Sequence, residues 1–237
     1  MKLVVFPGTE RRSLTFYLAA EDYVAGLGHD DMCFVWQSEP TVIIGRNQIL
    51  ENEVNLDYCR DNSIRVVRRR SGGGCVYSDE GNIMVSCICR RSEASEVFER
   101  YLSALVECLR SFGLPAERSG RNDILVEGRK VSGNAFHQMP AMSVVHGTLL
   151  YSVDMMALES AIRPPVEKLV RHGVESVRQR VRNIADYAVE HGLDHAALKS
   201  SSALRSSLEA FFCDGSLTLD EEDMKRIEMI EQEYLKI

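Results

Sequence analysis

No two cysteines in this sequence are spaced C-x-x-C. The seven present (Cys33, Cys59, Cys75, Cys87, Cys89, Cys108 and Cys213) are odd in number and lack metal-ligand spacing. A zinc site or disulfide framework is therefore not indicated, and reduced thiols in a cytoplasmic protein are expected. A basic surplus is missing too: the formal net charge of −7 argues against nucleic acid or an anionic membrane as partner. No apolar run is long enough to span a bilayer. The opening MKLVVFPGTERR is too short in its apolar part for a secretory leader. Neither G-x-G-x-x-G nor G-x-x-x-x-G-K-[ST] occurs, so neither the dinucleotide fingerprint nor the P-loop is indicated. With no internal repeat and no clean boundary, residues 1–237 read as one domain with a helical C-terminal segment.

What is present is ample apolar material, 45% of residues, in patterns of period two and then 3.6. KLVVF (2–6) reads as a first strand, and Thr9 as the cap of a helix running to about Gly26. MCFVWQ (32–37) and TVIIG (41–45), separated by Ser-Glu-Pro, read as a hairpin. Val54 to Asn62 reads as helix, IRVVR (64–68) and NIMVSCIC (82–89) as strands, and Ser95 to Phe112 as an amphipathic helix ended by Gly113-Leu114-Pro115. Cys87 and Cys89 alternate on one sheet face. DILV (123–126), the turn Glu127-Gly128 and RKVSGNAF form a second hairpin, and SVVHGTLLYSV (143–153) another strand. Hairpin links outnumber crossovers, so the class is α+β with a mixed, largely antiparallel sheet. After Asp154 the pattern turns helical, broken at Pro164-Pro165. Three helices follow, the last with Thr218 and Glu221 at capping-box spacing.

One stretch carries chemistry, RRRSGGGCVYSDEGN (68–82). Backbone without Cβ atoms can turn its amides toward an anion. Arg68, Arg69 and Arg70 add forked donors beside it, and Asp79 and Asn82 stand ready to orient a ribose, a base or a metal. The plain alternative is a bulged hairpin with a solvated basic edge. A second stretch, RNDILVEGRKVSGNAFH (121–137), puts Lys130 on a tight hairpin ahead of Ser132-Gly133-Asn134-Ala135, small residues against which a ligand packs closely. A lysine at a developing negative charge is a common electrostatic catalyst. A surface lysine is the plain alternative.

These stretches, with GRNQ (45–48), EVN (53–55), HGTLL (146–150) and GVESVRQRVRNI (173–184), resemble the lipoate–protein ligase A family in order and spacing over about residues 10–187. The resemblance implies a fold similar to biotin–protein ligases and class II aminoacyl-tRNA synthetases. It implies an ATP- and Mg²⁺-dependent enzyme that makes lipoyl-AMP and transfers the lipoyl group to a lysine of an acceptor domain. Acceptors in the family are the lipoyl domains of 2-oxoacid dehydrogenase E2 subunits and the glycine-cleavage H protein. It implies that Lys130 is the central catalytic residue. Arg70, Gly73, Gly74, Cys75, Val76, Tyr77, Ser78, Asp79, Asn82, Asn122 and Asp123 would hold the nucleotide, Asp123 also lying by the Mg²⁺–phosphate region. Arg46, Asn47, Ser71, Gly72, Gly133, Ala135, His146 and Gly147 would line the lipoate tunnel.

Two departures stand out. Ser78 replaces the histidine common in the family, which removes a group that titrates near neutrality. The sequence also stops at Ile237, where family members continue into a small C-terminal domain. A separate accessory protein is therefore expected to assist adenylation. The single-domain relatives that transfer octanoyl or lipoyl groups without ATP are the alternative. Their octanoyl-transferring branches use a cysteine nucleophile, but GLPAERSGRND (113–123) has none, and Cys75 reads as a small residue beside the ligand. A non-catalytic lipoate-binding subunit is a third reading, against which Arg70 and Lys130 together argue. His191 and His195 lack a third ligand, and Trp36 reads as core. Lys168, Arg171, Arg178, Arg180 and Arg182 read as a solvated helix face or a dock for an acidic acceptor domain.

Overall fold

Strand β1 (Lys2–Val5) and strand β2 (Met32–Trp36) run parallel, because helix α1 (Leu14–Leu27) carries the chain back between them. The computed structural model describes residues 1–8, 10–28, 30–120, 122–163 and 180–236. The Thr9 cap, the Pro164-Pro165 break, Lys168, Arg171, Arg178 and most of GVESVRQRVRNI lie outside them. The cap of α1 is Ser13, whose hydroxyl accepts from the Phe16 amide at 3.0 Å.

Three short elements follow: β3 (Thr41–Ile44), α2 (Leu50–Glu53) and α3 (Leu56–Asp61). Next come strands β4 (Arg65–Arg68), β5 (Val76–Ser78) and β6 (Asn82–Arg90), and helix α4 (Ala94–Ser111). The meander β7 (Ala116–Ser119), β8 (Asp123–Val126), β9 (Arg129–Gln138) and β10 (Met142–Leu150) completes the β-rich part. Helices α5 (Met155–Ala161), α6 (Ile184–Glu190) and α7 (Ser201–Phe212), strand β11 (Gly215–Thr218) and helix α8 (Glu221–Tyr234) close the chain.

The main sheet has the order β11-β1-β2-β6-β10-β9-β8-β7, parallel across β11, β1 and β2 and antiparallel beyond. A small sheet, β4-β3-β5, stands apart. The expected hairpin of residues 32–45 is therefore wrong: β2 lies in the main sheet and β3 in the small one. Every residue of β2 is buried, so it needs cover on both faces and a strand on each side, and β1 and β6 supply those. The hairpin at Glu127-Gly128 is present, both residues having positive φ, 48° and 76°. Strand β11 is a short edge strand without hydrophobic periodicity, which hid it in a helical segment. The capping box of α8 is Asp220 with Asp223, not Thr218 with Glu221.

Side-chain alternation divides the main sheet into two faces. Cys33, Val35, Val85, Cys87 and Val145 face α4 and α7. Phe34, Trp36, Met84, Ile88 and Val144 face α1 and α8. The second face carries the site.

Candidate active site

The glycine loop joins β4 to β5 over the end of β3, and Arg69 shapes it from beneath. Arg69 is only 5% exposed. Its Nη2 donates to Gly72 O at 2.8 Å and Gly74 O at 2.7 Å, and its Nη1 to Ile43 O at 3.2 Å. Burial lowers its pKa to about 10, which leaves it cationic at neutrality. Arg68 turns elsewhere, donating to the carbonyls of Gly45, Arg46 and Gln48. The carbonyls of Gly72 and Gly74 thus point inward. The amides of Gly72, Gly73 and Gly74 have no hydrogen-bond partner among the described residues. Gly73 has φ +98°, and a Cβ there would stand 2.9 Å from Arg69 Nη2. A Cβ on Gly45 would stand 2.3 Å from Gly73 O. Free amides over a buried guanidinium make a nest for an anion.

Against this loop lies a transverse row of the main sheet. Directly opposed residues of antiparallel strands share a face. Gly133, Thr148, Met84 and Trp36 form one row across β9, β10, β6 and β2, and Ala135, His146, Ser86 and Phe34 the next. Gly73 faces Ala135: its hypothetical Cβ is 3.9 Å from that of Ala135. Lys130 lies over Gly133 and pairs with Asp123 at 2.8 Å, each side chain about one-third exposed. A Cβ on Gly133 would meet Lys130 Nζ at 2.7 Å. Three strand spacings of about 4.8 Å separate this cation from Trp36, about 14 Å in all. Thr148 and Met84 line the interval, with Ala135, His146 and Ser86 in the next row.

A buried polar chain borders the second row. Ser71 Oγ is 2.8 Å from His146 Nε2, and His146 Nδ1 is 2.8 Å from Glu21 Oε2. Ser86 donates to Glu21 Oε1 at 2.6 Å and accepts from Trp36 Nε1 at 2.9 Å. Trp36 stacks on Tyr17 of α1, ring centroids 4.5 Å apart. Glu21 escaped the sequence reading. Its signal was a pair of carboxylates, Glu21-Asp22, inside the apolar run of α1, both now buried.

The other expected site residues divide. Arg46 and Asn47 are exposed on the turn after β3, the Arg46 amide bonding to Ser71 O at 3.0 Å. Arg70 pairs with Asp22 and Glu233. Val76 packs toward the α1 side, whereas Tyr77 packs in a third core with α5. Ser78 is fully buried, its hydroxyl 3.5 Å from that of Ser38. Asp79 accepts from the amides of Gly81 and Asp154 at 2.8 and 2.9 Å, and burial raises its pKa. Asn82 is fully buried, its Nδ2 3.5 Å from Tyr77 O. The Asn122 amide donates to Asn134 O at 2.7 Å and ties β9 to the turn before β8. Gly147 lies on the α4 side: a Cβ there would stand 1.8 Å from Asn134 Oδ1. The loop, Ser71, Lys130, Asp123, Gly133, Ala135 and His146 therefore converge. Ser78, Asp79, Asn82, Asn122 and Gly147 hold backbone or core around them.

Two expected outcomes arise from this geometry. Burial raises the Cys75 thiol to about 12, so at neutral pH it is not a nucleophile. Cys75→Ala is expected to keep the full rate of acyl transfer, and a dead but folded variant would restore thioester chemistry. Gly133→Ala meets only the far end of a flexible lysine, so the melting temperature is expected to hold. Displacing Lys130 by about 1 Å is expected to lower the transfer rate by about 10²-fold. Equal activity in the variant would show that the lysine's position is unimportant.

Residues 14–203 match the family model of the lipoyl protein ligase A/B catalytic domain. The chain belongs to this family. Relatives in it include the lipoate-protein ligase LplJ of Bacillus subtilis, 39% identical over 151 residues, 63% of this chain and 46% of the relative. The probable lipoate-protein ligase A of Mycoplasma pneumoniae is 34% identical over 209 residues, 86% of this chain and 59% of the relative. The chain thus spans about half the length of these relatives. Among solved structures, a bi-partite lipoate protein ligase from Thermoplasma acidophilum superposes with a TM-score of 0.82 at 25% identity, covering 98% of this chain and 91% of the other. A lipoate-protein ligase A bound with ATP gives the same TM-score at 23% identity, covering 100% and 96%, a likeness of fold. The family fold is the mixed sheet with flanking helices described above.

Proposed function

We propose that the chain is a lipoate–protein ligase, activating lipoate with ATP and passing the lipoyl group to a lysine of a lipoyl acceptor domain. The carrying observation is the juxtaposition of the free glycine-loop amides with Ala135, two residues along the same face from the glycine under Lys130. Activation brings a carboxylate against the α-phosphate; the new O–P bond expels pyrophosphate. Two anions must be held together, which the amide nest, Arg70 and Lys130 favour. The acyl chain runs along the row toward Trp36, where each buried CH₂ contributes about 0.8 kcal/mol. In the second step the acceptor amine attacks the acyl carbonyl and AMP leaves. Exclusion of water by the covered row guards the adenylate until then. Among the described residues no cluster of three or more ligating side chains could hold a metal. Mg²⁺ bound to the triphosphate would offset its charge, and Asp123 of the lysine hairpin would be the carboxylate to help hold it.

The acceptors proposed are E2 lipoyl domains, in line with the E2 lipoyl domain of the T. acidophilum ligase, and, on family resemblance alone, the glycine-cleavage H protein. An accessory protein assisting adenylation is part of the proposal. Isotope exchange between labelled pyrophosphate and ATP tests the first half. Exchange that requires lipoate, alone or after addition of the companion, is expected. Transfer from an octanoylated carrier without ATP would instead make the chain an acyltransferase.

A further inference from the structure

Arg70 already holds an anion belonging to the chain. Its guanidinium is bracketed by two helices: Asp22 of α1 lies at 2.7 Å, and Glu233 of α8 pairs from the other side. Tyr234, the next residue of α8, sets its ring 5.0 Å from the Arg70 Cζ and donates its hydroxyl to Asp22 Oδ2 at 2.7 Å. The two carboxylates differ in kind. Asp22 is 7% exposed and receives a second hydrogen bond, so removing its partner would strand a buried charge. Glu233 is 63% exposed and sits in the last turn of α8, where the helix dipole disfavours a carboxylate. Exposed pairs of this kind contribute little and yield readily to a competing anion.

We propose that Glu233 is an internal stand-in for the ligand's phosphate: it occupies Arg70 until the adenylate displaces it, while Asp22 and Tyr234 keep the guanidinium in place. This rests on the reading of Arg70 as an adenylate contact. Helix α8 packs along α1 through Tyr23 with Asp223, and through Ser13 and Thr15 with Glu231. Displacement therefore frees only the Glu233 side chain, while Glu231 and Tyr234 hold the last turn against α1. Glu233 tunes affinity for a charged ligand and has no effect on a neutral one.

Calorimetry on the full chain tests this with two stable analogues of lipoyl-AMP in which the carbonyl is a methylene. One keeps the phosphate's negative charge; the other is its neutral methyl phosphotriester. Glu233→Gln is expected to bind the charged analogue about two- to fivefold more tightly. The neutral analogue should bind as it does to the wild type. Glu228→Gln, an exposed carboxylate on the same helix, should change neither, and the gain should shrink in 1 M salt, where the screening length falls to about 3 Å. Unchanged affinity in Glu233→Gln, or an equal gain for the neutral analogue or in Glu228→Gln, overturns the proposal. Failure of the wild-type chain to bind either analogue overturns the functional reading beneath it.

Discussion

Lys130→Ala is expected to lower lipoyl transfer by about 10²–10³-fold, the loss typical of one electrostatic donor at a developing charge. The side chain stands over Gly133, where a Cβ would leave it no room, and it faces Asp123 at 2.8 Å. Asp123 fixes the ammonium but does not consume all three of its donors. As both side chains are about one-third exposed, the pair adds under about 1 kcal/mol to stability. The variant should therefore fold and melt like the parent. Single-turnover transfer from lipoyl-AMP, with circular dichroism alongside, separates the two effects. A folded variant with parental rate would remove Lys130 from the mechanism.

Arg69→Met is expected to cost about 3 kcal/mol, because the buried Ile43 carbonyl and two loop carbonyls lose a charged donor together. For a domain of this size that corresponds to a drop in melting temperature of about 6–12 °C. Without Arg69 to draw them inward, the carbonyls of Gly72 and Gly74 can turn into the nest and repel phosphate. Adenylate affinity should fall by at least about tenfold, the equivalent of one such hydrogen bond. Arg69→Lys, which keeps the charge but not the fork, should fold better and still bind adenylate weakly. Calorimetric melting and titration of both variants check this. A parental melting temperature and affinity in Arg69→Met would mean that the loop holds its shape unaided.

The sequence made the loop visible but not the labour of its arginines. Three adjacent arginines look alike in a string. In the fold Arg68 braces the turn after β3, Arg69 goes beneath the loop, and Arg70 reaches α1 and α8. The partners that separate them lie far away in the chain, Glu233 being 163 residues from Arg70. The lysine hairpin was legible because a turn with two positive φ values is written locally as Glu127-Gly128. Strands β2 and β3 were not placed correctly, since burial on both faces erases the alternation that tells a hairpin from two sheets. Glu21, His146 and Ser71 belong to three separate elements, and only the packing of α1 on the sheet joins them. Gly147 stood in a legible motif, yet its side of β10 is fixed by strand alternation, which pairs it with Asn134 and Val85 and turns it toward α4.

The most direct test supplies the chain with synthetic lipoyl-AMP and a lipoyl acceptor domain and weighs the acceptor by intact mass spectrometry. The expected result is a gain of one lipoyl group on the acceptor's target lysine, absent when Lys130→Ala replaces the parent. An acceptor of unchanged mass, with lipoyl-AMP decaying only at its background rate, would contradict the assignment of lipoyl transfer to this site.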